Sequence, residues 1–167
     1  STTVDPDAPP RSQTGAGNPV TFVFGGDIHF DGPLRTTLER QPDSVLAGLQ
    51  PTLREADVAV VNLETSIGEG GTKVPKDFNF QAPPAAFDVL MAGGVDVIGM
   101  ANNHALDYGT DGLTQTIGAA QRVQAPIIGI GGNELAAYAP WTRTVNGQRI
   151  AVIAATSVLD GNLVASW

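Results

Sequence analysis

Apolar residues arrive in short runs, each closed by glycine, proline or polar side chains. The run VTFVF at 20–24 ends at Gly25-Gly26 and predicts a buried strand. Residues 43–56 predict a helix, with Asp43 as its N-cap and Val45, Leu46, Leu49 and Leu53 as its apolar stripe. VAVVN at 58–62 is continuous rather than alternating, the pattern of a strand covered on both faces. A long Gly- and Pro-rich connection follows at 65–84, a length that points to a functional or mobile loop. Beyond it the pattern predicts a helix at 85–92, a strand at 96–100 and a helix at 110–123 with Leu113, Ile117, Ala120 and Val123 inward. Strands at 127–130 and 149–155 complete the series, and 141–145 forms a hairpin with the last through Asn146-Gly147, a tight-turn signal. Strands alternating with helices give a layered α/β fold with a mainly parallel sheet.

The first 19 residues, STTVDPDAPPRSQTGAGNP, bury too little apolar surface to fold alone and read as a flexible tail or linker. The folded portion is therefore expected at 20–167. Such a beginning fits a mature exported protein after removal of its leader, which would put the chain at the cell envelope or outside it, and it also fits a trimmed chain. No apolar run approaches the roughly 18–20 residues that cross a bilayer. There are no cysteines, which excludes disulfides, thiolate metal sites and a cysteine nucleophile. With 17 acidic against 9 basic residues the net charge is -8, so the chain is no phosphate-tracking nucleic-acid binder.

The chemistry collects after the strands. Gly26-Asp27-Ile28-His29 follows the first, Asn62-Leu63-Glu64 the second, and Asn102-Asn103-His104 with Asp107 the third. In open parallel sheets ligands bind beyond the carboxyl ends of the strands, so these clusters share one rim. Both histidines of the chain lie in them. Asp, Glu, Asn and His suit a divalent cation such as Mn, Fe or Zn, and a carboxylate beside an imidazole also suits a metal-free acid/base pair. Each cluster alone has a plain alternative: a surface histidine, a turn-capping Asp27, a solvated Glu64, left-handed asparagines. Three independent strand ends carrying ligand-type residues favour a shared site. GIGGN at 129–133 reads as a turn after a strand, because it lacks the Gly-Lys-Ser/Thr ending of a phosphate loop. Lys73 and Lys76, with Phe78 and Phe80, form a candidate lid over an anionic ligand, or a solvated loop with its aromatics turned inward.

Strand–GGDIH, strand–NLETSI, FNFQAPP and strand–ANNHALDYG, in that order, resemble the bacterial CapA family of poly-γ-glutamate capsule synthesis and export, within the calcineurin-like metallophosphatase superfamily. The resemblance runs from about residue 20 to 155 and implies the first part of a layered αββα sandwich. It implies that Asp27 and His29 hold a first metal and that Glu64 stands where a bridging Asp is usual. It further implies that Asn103 holds a second metal and that His104 assists leaving-group protonation or stabilises the transition state. Asn102, Lys73 and Lys76 are then the substrate contacts. The implied chemistry is hydrolysis or transfer at an ester-like centre, with up to two ions clamping the attacking and leaving oxygens. The substrate is a phosphate-like group or an anionic polymer, an awkward match for so acidic a chain. The alternative is a non-catalytic binding component of capsule or envelope-polymer assembly.

Family members run well beyond the equivalent of Trp167 and complete the metal site with later histidines, whereas this chain has none after His104. The resemblance thus implies a shortened chain or one of two pieces. It also implies an open edge at the last strand, covered by a second chain or by self-association.

Overall fold

The computed structural model describes residues 17–158. Most of the expected tail, and the segment beyond 158, lie outside the described residues. The first strand, β1 (Phe22–Ile28), leads into helix α1 (Gly32–Arg40), a 3-10 turn at Pro42–Ser44 and helix α2 (Gln50–Glu55). Then come β2 (Val58–Leu63), the short β3 (Ser66–Ile67) and β4 (Gln81–Ala82), and helix α3 (Ala85–Gly93). Strand β5 (Val97–Gly99), helix α4 (Gly109–Val123), β6 (Ile127–Ile128) and the single turn α5 (Glu134–Ala137) precede a hairpin of β7 (Trp141–Val145) and β8 (Gln148–Val152).

The central sheet has the order β1-β2-β5-β6, and all its pairings are parallel. The fold is therefore α/β with a mainly parallel sheet. Strand β2 explains its own position: its side chains are buried on both faces, as an interior parallel strand requires. Ala59, Val61 and Leu63 point into the larger core, which is closed by Phe30, Leu38, Leu53, Phe87 and Leu90 of the helical layer. Val58 and Val60 point the other way, into a smaller cluster with Val97, Ile128, Trp141, Ile150 and Val152. The hairpin is thus not a fifth strand of the sheet. It is a separate antiparallel ribbon that packs on the face opposite the helices. Its Asn146-Gly147 turn has the two positive φ values, 50° and 81°, that such tight turns demand.

Four expectations change. Strand β1 lies at a sheet edge, so it is not buried: Phe24 is 69% exposed and stacks on Phe22, itself 39% exposed. The helix expected at 43–56 is broken into the 3-10 turn and α2, and Asp43 caps nothing through its side chain. Pro51 is the reason, since it has no N–H to offer Ala47 in a continuous helix. Leu49, expected in the apolar stripe, is exposed. Helix α1 is absent from the expectations because Gly32-Pro33 reads as a break, yet proline is well suited to a first helical turn. In α4 the buried positions are Gly112, Thr116, Ala119 and Ala120, a face rotated from the expected one. A Cβ at Gly112 would lie 2.9 Å from Ser66 Oγ, so this face admits β3 closely, and Thr116 Oγ1 accepts from the Ile67 N–H at 2.8 Å, bonding β3 to the helix. Among the described residues no helix is long and apolar enough to cross a membrane.

Candidate metal and acid/base site

A one-residue irregularity in β1 builds the site. Phe24 pairs with Val60, but Asp27 pairs with Asn62, so three steps along β1 match two along β2. The extra residue falls at Gly25-Gly26 and reverses which face the following side chains take. Without it Asp27 would turn toward the helices. With it Asp27 stands on the opposite face beside Asn62, while Ile28 packs into the helical core. Asn62 Nδ2 donates to Asp27 Oδ1 at 2.8 Å. One strand over, Asn102 Nδ2 donates to Asn62 Oδ1 at 3.0 Å and to the Leu63 carbonyl at 2.9 Å. Asn102 Oδ1 in turn accepts from the His104 N–H at 3.0 Å. A continuous polar chain therefore joins the ends of β1, β2 and β5.

Glu64 follows β2, its N–H held by the Ile28 carbonyl at 2.8 Å. Partial burial and the neighbouring Asp27 carboxylate raise its carboxyl above the ordinary range, partly offset by His104. His104 Nε2 lies 4.0 Å from Glu64 Oε1, too far for a hydrogen bond. On its other side, His104 Nδ1 is 2.8 Å from Asp107 Oδ2. A carboxylate accepts only, so Nδ1 carries the proton there and Nε2 is left to face the site.

Asp107 is fully buried and anchors more than the imidazole. Its Oδ1 meets the Lys76 ammonium at 2.6 Å, and its Oδ2 also accepts from the Phe80 N–H at 2.6 Å. Lys76 reaches the Asn103 carbonyl as well, at 2.8 Å. The Phe80 ring stacks on His29, with centroids 4.5 Å apart and planes 8° from parallel, and touches His104 at 4.6 Å and 39°. Aromatic contacts of this geometry contribute about 0.5–1.5 kcal/mol each beyond area burial.

The structure thus brings Asp27, Glu64, Asn102 and His104 together directly. His29 joins through Phe80, and Asn103 meets the cluster through its carbonyl. Lys73 is exposed on the connecting loop, whereas Lys76 is committed to Asp107. The reading of the sequence names Asn62 and Asp107 within the strand-end clusters without a separate role for either, and leaves Phe80 between a lid and an inward-turned loop aromatic. Asn62 was visible as the polar end of an apolar run, and Asp107 as a carboxylate three residues after a histidine. Phe80 had no signal of its own. In kind, the donors fit a divalent cation: two carboxylates held close despite their repulsion, and an imidazole facing them. In number they fall short, since among the described residues no three of His, Cys, Asp and Glu group closely enough to hold an ion.

The GIGGN segment is a turn leading into α5, with Gly129 at φ 88° and Asn133 Oδ1 accepting from the Ala136 N–H at 2.9 Å.

Comparison with known proteins agrees with this arrangement of motifs. The family model described as bacterial capsule synthesis protein PGA_cap matches residues 21–166. The PGA biosynthesis protein CapA of Bacillus subtilis is 27% identical over 153 residues, covering 89% of this chain and 40% of that protein. A probable polyglutamine synthesis accessory protein of Mycobacterium tuberculosis is 31% identical over 112 residues, covering 66% of this chain and 30% of its own length. The capsule biosynthesis protein CapA of Bacillus anthracis is 25% identical over 152 residues, 88% of this chain and 37% of that one. The chain therefore spans well under half the length of these relatives. With its strand-end motifs in order and a family match along nearly all of its length, the chain belongs to the bacterial capsule synthesis (PGA_cap, CapA) family.

Proposed function

We propose that the chain carries part of a divalent-metal centre of a hydrolase or transferase that acts in poly-γ-glutamate or capsule synthesis at the cell envelope. The observation that carries this reading is the convergence of Asp27 and His104 through the Asp27–Asn62–Asn102–His104 chain of hydrogen bonds, with Glu64 Oε1 4.0 Å from His104 Nε2. Asp27 and Glu64 would hold the cation, with His29 and Asn103 as the further ligands that the family resemblance implies. Such an ion, or a pair of ions, supplies Lewis-acid polarisation at an ester-like centre. Asn62 aims the Asp27 carboxylate. His104, oriented by Asp107 through Nδ1–H, turns Nε2 to the site, where it takes a proton in the neutral ring and gives one to a leaving oxygen only from the doubly protonated ring. Lys73, exposed on the connecting loop, would supply positive charge toward a phosphate-like or polyglutamate substrate, while Lys76 and Asn102 hold the framework. Ligands still needed to complete the centre come from outside the described residues, either from the same polypeptide or from a partner chain.

The test is reconstitution with Mn, Fe or Zn, followed by assay on a model phosphoester and on poly-γ-glutamate. Metal-dependent turnover that disappears in the double variant Asp27→Ala/His104→Ala supports the proposal. Turnover that persists in that variant overturns the site assignment. Turnover that needs no metal overturns the metal reading. Retained metal with no turnover favours the binding-component alternative.

A further inference from the structure

Phe80 is fixed more firmly than a lid residue needs to be. Its N–H donates to the buried Asp107 carboxylate at 2.6 Å, and its carbonyl accepts from the Ser66 N–H at 3.2 Å. The loop before it is pinned to the same region: the Val74 N–H donates to the Asp107 carbonyl at 3.0 Å, and Lys76 pairs with the Asp107 side chain. The ring so placed touches both imidazoles of the chain, at 4.5 and 4.6 Å. His29 is exposed, on the turn after β1, and would sample several rotamers if nothing lay against it. His104 is buried and held at Nδ1 by Asp107, and the Phe80 ring lies against its face at 39°.

We propose that Phe80 is a positioning residue: one ring, placed by its backbone bond to Asp107, that sets the orientation of His29 and His104 together and so fixes where His29 presents a nitrogen to a cation and which way His104 turns Nε2 toward it. The proposal rests on the metal-site reading above. It assigns the 74–80 loop a role distinct from covering substrate. The loop is the mount of a buttress, and Asp107 is the point where mount and imidazole are fastened together. Phe80 itself coordinates nothing, so its removal alters the ligands' freedom and leaves their number unchanged.

Phe80→Leu and Phe80→Met remove the ring and keep the bulk, and Phe80→Tyr keeps the ring; reading two ringless variants guards against one that fails to fold. Cobalt(II) is titrated into each 167-residue chain and followed by its visible absorption bands. Removing the ring is expected to weaken cobalt binding about 10- to 100-fold, the usual effect of losing a group that orients a ligand. The thermal midpoint should drop by several degrees from the loss of two ring contacts while the chain stays folded, and Phe80→Tyr should restore affinity and spectrum. Equal affinity and an unchanged spectrum in a folded ringless variant overturn the proposal. If the parent chain takes up no cobalt, the metal reading fails and the buttress is judged on the metal-free protein by NMR of labelled histidine. Ordered ring signals of His29 and His104 that become exchange-averaged in the ringless variants, and return in Phe80→Tyr, support it; ordered signals in all variants overturn it.

Discussion

The two faces of the central sheet are built for different purposes. On the helical side Phe87, Leu90, Leu63 and Ile98 are wholly buried, and Phe30 and Leu38 nearly so. On the other side the hairpin covers only the part nearest Val58 and Val97, leaving Phe22 and Phe24 exposed at the edge and Asp27 exposed at the rim. The same strands serve both, and the extra residue in β1 decides which face receives Asp27 and which receives Ile28. Stability is concentrated on the closed face and polar chemistry on the open one, so substitutions should separate the two.

The largest effect is expected on the closed face. Phe87→Ala should cost about 3–5 kcal/mol, the usual range for emptying a core aromatic site, read as a lower urea midpoint. A loss under 1 kcal/mol would mean that the helical layer is not the main support. Next comes Asn62→Ala on the open face, which strips partners from Asp27 and Asn102 together. About 1–3 kcal/mol is expected, the range for leaving polar groups unpaired, with metal affinity falling as well. An unchanged urea midpoint with normal metal uptake would show the polar chain to be incidental.

Glu64→Gln should act in the opposite direction and depend on pH. Because the folded state raises the Glu64 carboxyl, its contribution to stability is fully present below the unfolded value and is lost as pH rises through the folded one. The metal-free variant should therefore match the parent at acid pH and exceed it at neutral pH, in urea titrations run on both sides of the carboxylate range. Metal affinity of the parent should fall with decreasing pH through the same window, because a proton and the cation compete for Glu64. The smallest effect belongs to Phe24→Ser, within about 1 kcal/mol, because this exposed ring loses only its stack on Phe22. A larger loss, or a change of solution size in this variant, would show that the exposed rings are covered by another chain in solution.

The alternation of apolar runs with helical segments was enough for the α/β class, the order of β2, α3, β5, α4 and β6, and the hairpin turn. Those features depend on local periodicity and on Asn146-Gly147, which are written along the chain. The errors came from interactions between distant segments. A run as apolar as VTFVF looks buried until the pairing shows it at an edge, and no local pattern marks the inserted residue at Gly25-Gly26. For the site, the strand-end rule located Asp27, Glu64, Asn102 and His104, because topology alone brings such ends to one rim. It did not reveal that Lys76 is bound to Asp107, or that Phe80 connects two histidines 75 positions apart (104 − 29). Those contacts arise where the loop at 65–84 folds back on the 102–108 turn, and a sequence does not display them.

The central claim, a divalent cation seated between the ends of β1 and β2, is most directly tested by paramagnetic broadening with Mn(II). The account predicts that amide signals of Asp27–His29, Asn62–Glu64 and Asn102–His104 broaden first at low manganese, and that Asp27→Ala abolishes the effect. Broadening spread over the acidic surface, or equally present in Asp27→Ala, would contradict it.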